Sequence, residues 1–203
     1  MTKNGYDKHF GKPLSKQEID ELKAQVLKEG VRISRPTIRR VVRVLARTLD
    51  EDYFGQVPTL LVVLKGAYIF AAELSLEMQQ PHTMQFVSVS SYQGTSMSQQ
   101  KPVINALGFR PKDLEGNPVI LVEDVIDSGA TVKALRATYP IHSVCSLVCK
   151  GEKAAEMHDI RYYGFDVPKE QFIVGYGMDY GELFRNIPYI SALKRLKLPP
   201  EDE

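Results

Sequence analysis

The sequence predicts an α/β protein whose central sheet is parallel and covered by helices on both faces. Three observations carry this. Residues 59–64, 119–122 and 143–149 are short, nearly continuous apolar runs rich in Val, Ile and Leu. That is the composition of strands buried on both faces. Helical patterns lie between them: Phe70, Leu74 and Met78 step by four within 67–78, and residues 132–137 follow the second run. Strands that alternate with helices need crossover connections, and hence pair in parallel.

Taken in order, Ser15-Lys16-Gln17-Glu18 forms a capping box, so a helix is expected from about 16 to 28, ending near Gly30. A second helix is expected over 35–49, with Val41, Val42, Leu45 and Leu49 on one stripe. Residues 55–58 break the chain before the first apolar strand, and Lys65-Gly66 ends that strand. Pro81 ends the 67–78 helix, and 84–92 reads as a strand. Residues 93–101 are polar with no apolar period, which suits a hairpin, a surface loop or a mobile lid opening at Ser90-Ser91-Tyr92. Gly116-Asn117-Pro118 opens the 119–122 strand, and the 143–149 strand ends at Lys150. A short strand near 160–163 precedes another at 172–176, and an apolar piece at 189–193 precedes a charged tail expected to fray. The first fifty and last forty residues fall outside the alternation. One domain over 1–203 is expected, with a core of about 55–165 and a smaller lobe from about 1–50 and 166–203.

Charge is balanced, with 26 basic and 25 acidic residues in 203, and hydrophobic residues make up 43%. This is ordinary for a soluble globular chain and argues against nucleic acid or a membrane as a partner. No run has the apolar length of a membrane span, and the N-terminal residues lack a signal-peptide core, so a cytoplasmic location is expected. On a strand, Cys145 and Cys149 would stand about 13 Å apart, too far for a disulfide. Buried thiols in a reducing compartment are expected. The four histidines share no metal-ligand spacing.

The chemistry concentrates in residues 119–131. An apolar strand leads to Glu123-Asp124, then to Asp127-Ser128-Gly129-Ala130-Thr131 and a helix start. In open α/β sheets, ligands bind beyond the carboxyl ends of strands. Free backbone N–H groups, the Ser128 and Thr131 hydroxyls and the close approach allowed by Gly129 suit a phosphate. A carboxylate repels phosphate, so Glu123 and Asp124 are better matched to sugar hydroxyls or a divalent metal. In isolation such an acidic pair would more often end a strand in water, with Asp127 capping the helix. There is no Gly-Lys-Ser/Thr, so no P-loop, and Gly175, Gly177 and Gly181 lack dinucleotide-fingerprint spacing.

The Glu-Asp-x-x-Asp-Ser-Gly-x-Thr stretch closely resembles the phosphoribosyl-pyrophosphate (PRPP) motif of type I phosphoribosyltransferases, in the form of the hypoxanthine-guanine branch. Three further motifs follow the family's order: Leu64-Lys65-Gly66, Lys150 at a strand end, and Phe172-x-Val174-Gly175-Tyr176-x-x-Asp179-Tyr180 with Arg185 beyond. The resemblance covers roughly 55–193. It implies the type I fold, a parallel sheet flanked by helices with a small hood. It also implies transfer of 5-phosphoribosyl from PRPP to hypoxanthine or guanine, with xanthine a further candidate, giving IMP or GMP and pyrophosphate. Magnesium and a homodimer or homotetramer are implied as well.

The same resemblance assigns residues. Glu123 and Asp124 hold the ribose, and residues 127–131 hold the phosphate. Asp127 acts at N7 of the base. Lys65, Gly66, Ser91, Tyr92 and Arg185 take the pyrophosphate. Lys150 donates to the purine O6, while Phe172, Ile173, Ile126, Met178 and Asp179 surround the base. Asp179, Glu123 and Asp124 are the implied metal-side acids. The choice of Lys150 has physical content, because an ammonium donates and cannot accept, favouring a 6-oxo over a 6-amino group. Ala130 stands where many members carry a longer residue, and the lid with Gln93 and Met97 is not a standard version.

Overall fold

A computed structural model describes residues 27–90, 103–151 and 154–193. Their elements are β1 (Leu27–Ile33), α1 (Arg35–Asp52), β2 (Thr59–Leu64), α2 (Tyr68–Glu77), β3 (Thr83–Ser90), β4 (Val103–Ala106), a 3-10 turn (Pro111–Leu114), β5 (Val119–Ile126), α3 (Ala130–Arg136), β6 (Ile141–Lys150), α4 (Ala154–Met157), β7 (Tyr162–Val167), β8 (Ile173–Val174) and β9 (Ile190–Leu193). Six strands form the main sheet in the order β4-β3-β2-β5-β6-β7. The pairs β2–β3, β2–β5, β5–β6 and β6–β7 are parallel, and β4 adds an antiparallel edge. A second sheet, β1-β9-β8, is antiparallel.

The strand alternation sorts the core into two layers. Leu60 and Val62 of β2, with Ile120 and Val122 of β5, face one layer, where they meet Ile38, Val42, Leu45 and Leu49 of α1 and Phe70 and Leu74 of α2. Leu61, Val63, Val119 and Leu121 face the other, against Val132 and Leu135 of α3 and Ala154 and Ala155 of α4. Both faces of the sheet are thus removed from water, as the apolar runs require. Helix α1 begins at Ser34, whose hydroxyl accepts from the Thr37 N–H at 3.4 Å, with Pro36 in the first turn. Val42, Leu45 and Leu49 of the expected stripe are buried, joined by Ile38 and Ala46, while Val41 is only partly buried. This helix packs on the large sheet; the small sheet is built only from β1, β8 and β9.

Several expectations are corrected. Residues 27 and 28, placed in the first helix, belong to β1; the rest of that helix lies outside the described residues. Pairing with β9, 157 or more residues away in sequence, overrides the local helical signal. The sheet is not wholly parallel, because Val103–Ala106 pairs antiparallel with β3. β5 does not end at Val122 but continues to Ile126, so Glu123 and Asp124 lie within the strand. Asp127 does not cap α3, whose N-cap is Gly129. Cys145 and Cys149 are free and buried, as expected, and lie in different core layers.

Leu121 is fully buried in the central strand. Leu121→Ala should lower stability by about 2–5 kcal/mol in urea unfolding; a loss well under 1 kcal/mol would mean that the two-layer core is not packed as described.

Candidate active site

The site lies at the carboxyl end of the main sheet. β5 pairs with β2 only as far as Val62↔Val122, but with β6 as far as Ile126↔Cys149. Past Val122, one edge of β5 is therefore open, and the Lys65-Gly66 turn enters there. The Leu64–Lys65 peptide is cis. Gly66 has room for no side chain: a Cβ on it would fall within the Asp124 carboxylate. Gly177, at φ +102°, faces Gly66 from the other side, where a Cβ would fall on the Gly66 carbonyl oxygen. Three segments thus meet at Gly66, one through a carboxylate and one backbone to backbone.

Glu123 is buried, and its Oε2 has no hydrogen-bond partner among the described residues. Burial, and then the neighbouring Asp124 charge, push its carboxyl well above the ordinary range. Burial also raises Asp124, to about 6, with backbone N–H groups and Arg185 opposing and Asp179 adding to the rise. Asp127 stands beyond the strand and pairs with Lys150 at 2.7 Å. The Lys150 side chain is 11% exposed and Asp127 49%, so the acid presents its outer side to the site. Ser128 accepts from the Ala130 N–H at 3.4 Å, and Gly129 adopts φ +69°. A Cβ at Gly129 would collide with the His158 ring. Arg136 of α3 donates to the carbonyls of His158 and Asp159 at 3.1 and 3.0 Å, tying that turn to the loop. Asp127, Ser128, Lys150 and His158 share a cavity of about 1090 Å³.

The opposite wall is residues 172–185. Phe172 is half exposed and meets Tyr180 edge-on at 5.7 Å between ring centres. Ile173 and Met178 are buried in the layer that also holds Tyr176 and the partly buried Val125. Ile126, expected among the base contacts, lies in the opposite layer with Val132 and Leu135. Val125, which sequence reading missed, is the β5 residue partly buried against the layer that holds Met178 and Ile173. Alternation along β5 would put Val125 with Val119 and Leu121 instead, so the sequence carried no signal for it. Arg185 pairs with Asp179 at 2.8 Å and donates to the Gly177 carbonyl at 2.8 Å. Glu182, also missed, bridges Arg185 at 3.2 Å and Lys65 at 2.8 Å; the Lys65 hydrogen bond, first among the causes, holds its carboxyl below the ordinary range. The three-residue spacing from Asp179 and from Arg185 was its only sequence signal. Ser91, Tyr92, Gln93 and Met97 lie outside the described residues.

No cluster of three or more His, Cys, Asp or Glu side chains able to hold a metal occurs among the described residues. The donor set still fits magnesium, which keeps several waters and binds through one or two carboxylates and substrate phosphates. The unpartnered Glu123 oxygen and the mutual influence of Asp124 and Asp179 supply hard oxygen donors of that kind.

Comparison with known proteins extends the geometry. A model of the phosphoribosyl transferase domain matches residues 32–181. The hypoxanthine-guanine phosphoribosyltransferase of Streptococcus pneumoniae is 38% identical over 169 residues, covering 81% of this chain and 92% of that protein. The hypoxanthine phosphoribosyltransferase of Salmonella typhimurium is 34% identical over 170 residues, covering 80% and 94%. The crystal structure of a hypoxanthine-guanine phosphoribosyltransferase from Bacillus anthracis superposes with a TM-score of 0.64 at 31% identity, covering 83% of this chain and 98% of that one. A hypoxanthine phosphoribosyltransferase from Staphylococcus aureus gives 0.71 at 26% identity, covering 89% and 97%. A sheet whose acid-bearing strand faces a hood, matched in sequence over most of its length, belongs to the phosphoribosyltransferase family, and this chain is a member of its hypoxanthine-guanine branch.

Proposed function

We propose that this protein is a purine-salvage enzyme that transfers the 5-phosphoribosyl group of PRPP to hypoxanthine or guanine, releasing pyrophosphate and forming IMP or GMP. The observation that carries the specificity is the Asp127–Lys150 pair at 2.7 Å. It sets an acceptor beside a donor, which matches N7–H beside O6 on the edge of a 6-oxopurine. A 6-amino group would face the Lys150 ammonium donor to donor. Phe172, half exposed, suits stacking on the ring, and Ile173, Met178 and Val125 would supply apolar surroundings. Asp179 closes the base subsite.

In the reaction, the bond from ribose C1 to the pyrophosphate oxygen breaks and a bond from C1 to a purine ring nitrogen forms. Positive charge builds on the ribose and negative charge on the leaving group. Glu123 and Asp124 would hold the ribose hydroxyls, and Ser128, Gly129, Ala130 and Thr131 the 5-phosphate through backbone and hydroxyl donors. Asp127 would take or share the N7 proton as the base becomes a nucleophile. Lys65, the Gly66 backbone and Arg185 would receive the pyrophosphate, a planar guanidinium binding two of its oxygens at once. Ser91 and Tyr92 would complete that subsite. Magnesium, held on the side of Asp179, Glu123 and Asp124, would neutralise charge on the leaving group.

A homo-oligomer is carried over from the family resemblance, and two free buried thiols suit the reducing cytoplasm. No helix among the described residues is long and apolar enough to cross a membrane.

The deciding experiment is nucleotide formation from PRPP and magnesium with hypoxanthine, guanine, xanthine and adenine in parallel. Turnover with a 6-oxopurine and none with adenine is expected. Turnover with adenine alone would overturn the reading of Lys150, and binding of PRPP without any turnover would overturn the enzyme. Asp127→Asn should lower kcat by about 10²–10⁴-fold with little change in PRPP affinity, whereas Lys150→Ala should weaken purine binding and leave PRPP binding largely intact. Steady-state kinetics with each substrate varied in turn separate the two effects.

Glu123 gives a stability test of the same site. Its folded-state pKa is raised, so its contribution to stability is fully present below the ordinary carboxylate range and is lost as pH rises through the folded value. Glu123→Gln should therefore unfold at higher urea than wild type at pH 7, by on the order of 1 kcal/mol, and the difference should shrink toward pH 4. A destabilised Glu123→Gln would show that the carboxylate has a partner that stabilises its charge.

A further inference from the structure

Lys65 and Arg185 come from opposite walls of the site, yet one carboxylate joins them. Glu182 Oε2 accepts from Lys65 Nζ at 2.8 Å, and Oε1 accepts from Arg185 Nη2 at 3.2 Å. Two oxygens on one centre bridging two cations is the arrangement that two oxygens of a phosphate would make.

The chain builds this contact deliberately. Tyr180 and Leu183 exchange backbone hydrogen bonds at 3.1 and 3.2 Å, which closes a tight hairpin with Gly181 and Glu182 at its tip. Both tip residues are left-handed, at φ +58° and +69°. Glycine or asparagine is favoured at such positions, but the second carries Glu182. Its N–H donates to Asp179 Oδ2 at 2.8 Å, which fixes the direction in which the side chain leaves the tip. Mobility is unequal. The Lys65 and Glu182 side chains are 68% and 56% exposed, whereas Arg185 is 17% exposed and is also held by Asp179 and the Gly177 carbonyl. Glu182 can therefore leave while Arg185 stays.

We propose that Glu182 is an internal competitor for pyrophosphate, a carboxylate that occupies both cations in the ligand-free chain, is displaced when PRPP binds, and returns as pyrophosphate departs. This rests on the assignment of Lys65 and Arg185 to the pyrophosphate subsite. Such a residue weakens the affinity for the leaving group in exchange for faster product release, because the cations never face water without a counter-charge.

The test is calorimetric titration of inorganic pyrophosphate with magnesium into wild type, Glu182→Gln, Glu182→Gly and Lys65→Ala, with Glu77→Gln as a control that removes the Arg43–Glu77 pair elsewhere on the surface. Glu182→Gly also relieves the left-handed backbone, so it keeps the test open should the Gln variant fold poorly. Both Glu182 variants should bind pyrophosphate about 1.5- to fivefold more tightly, the scale of an exposed ion pair, and should release it more slowly in stopped flow. Lys65→Ala should bind it more weakly, and Glu77→Gln should match wild type. If Lys65→Ala loses affinity but the Glu182 variants bind equally or less tightly, the competitor is overturned and the pyrophosphate subsite stands. If Lys65→Ala binds as wild type does, the subsite assignment falls, and the competitor with it.

Discussion

The contact on which the site depends has no side chain on one partner. Gly66 lies between the Asp124 carboxylate and Gly177, so close that a methyl group in either direction would overlap another residue. This closeness joins the Lys65 turn, the acid-bearing strand and the hood wall into one structure. It requires β5 to lose its β2 neighbour after Val122 while keeping β6. A sheet that stayed fully paired would fill the gap with a strand, and the acids would face a neighbouring backbone rather than a ligand.

Electrostatics follow from that placement. Glu123 and Asp124 are carried by a strand with buried apolar faces, so they are desolvated before any ligand arrives, and their carboxyls are raised accordingly. The cations of the site are treated differently. Lys65, Lys150 and Arg185 each have a carboxylate within 3 Å, and these pairs sit where solvent reaches at least one partner. Exposed pairs are weak and exchangeable. The fold therefore stores an unmet demand at the ribose side, while it keeps the phosphate and base sides provisionally satisfied.

The two walls share one apolar layer. The main sheet is fixed by apolar packing on both faces, with β2 and β5 at its centre. The hood wall sends Ile173, Tyr176, Met178 and Ile190 into the layer of α1 and α2, and adds polar ties, among them the Tyr176 hydroxyl donating to Glu73 of α2 at 2.7 Å. Tight turns on this wall place Tyr176, Glu182 and Phe184 at positive φ.

What the sequence determined by itself is the chemistry and the order of its parts. The apolar runs at β2, β5 and β6 are explicit because strands buried on both faces admit little else. Acids, hydroxyls and glycine at 123–131 are local features, and short-range rules read them well. The tertiary structure decided everything that depends on distant pairing. Residues 27 and 28 became strand because β9 supplies their partner. Glu123 and Asp124 became strand residues because β6 extends beyond β2. Val125 rather than Ile126 joins the layer that holds Ile173 and Met178, although the alternation that sorts residues 119–122 would place them the other way round. Glu182 gained its second cation only when a turn 117 residues away was brought beside it. Local propensity is written residue by residue, but the pairing of remote charges is settled by the packing that brings them together.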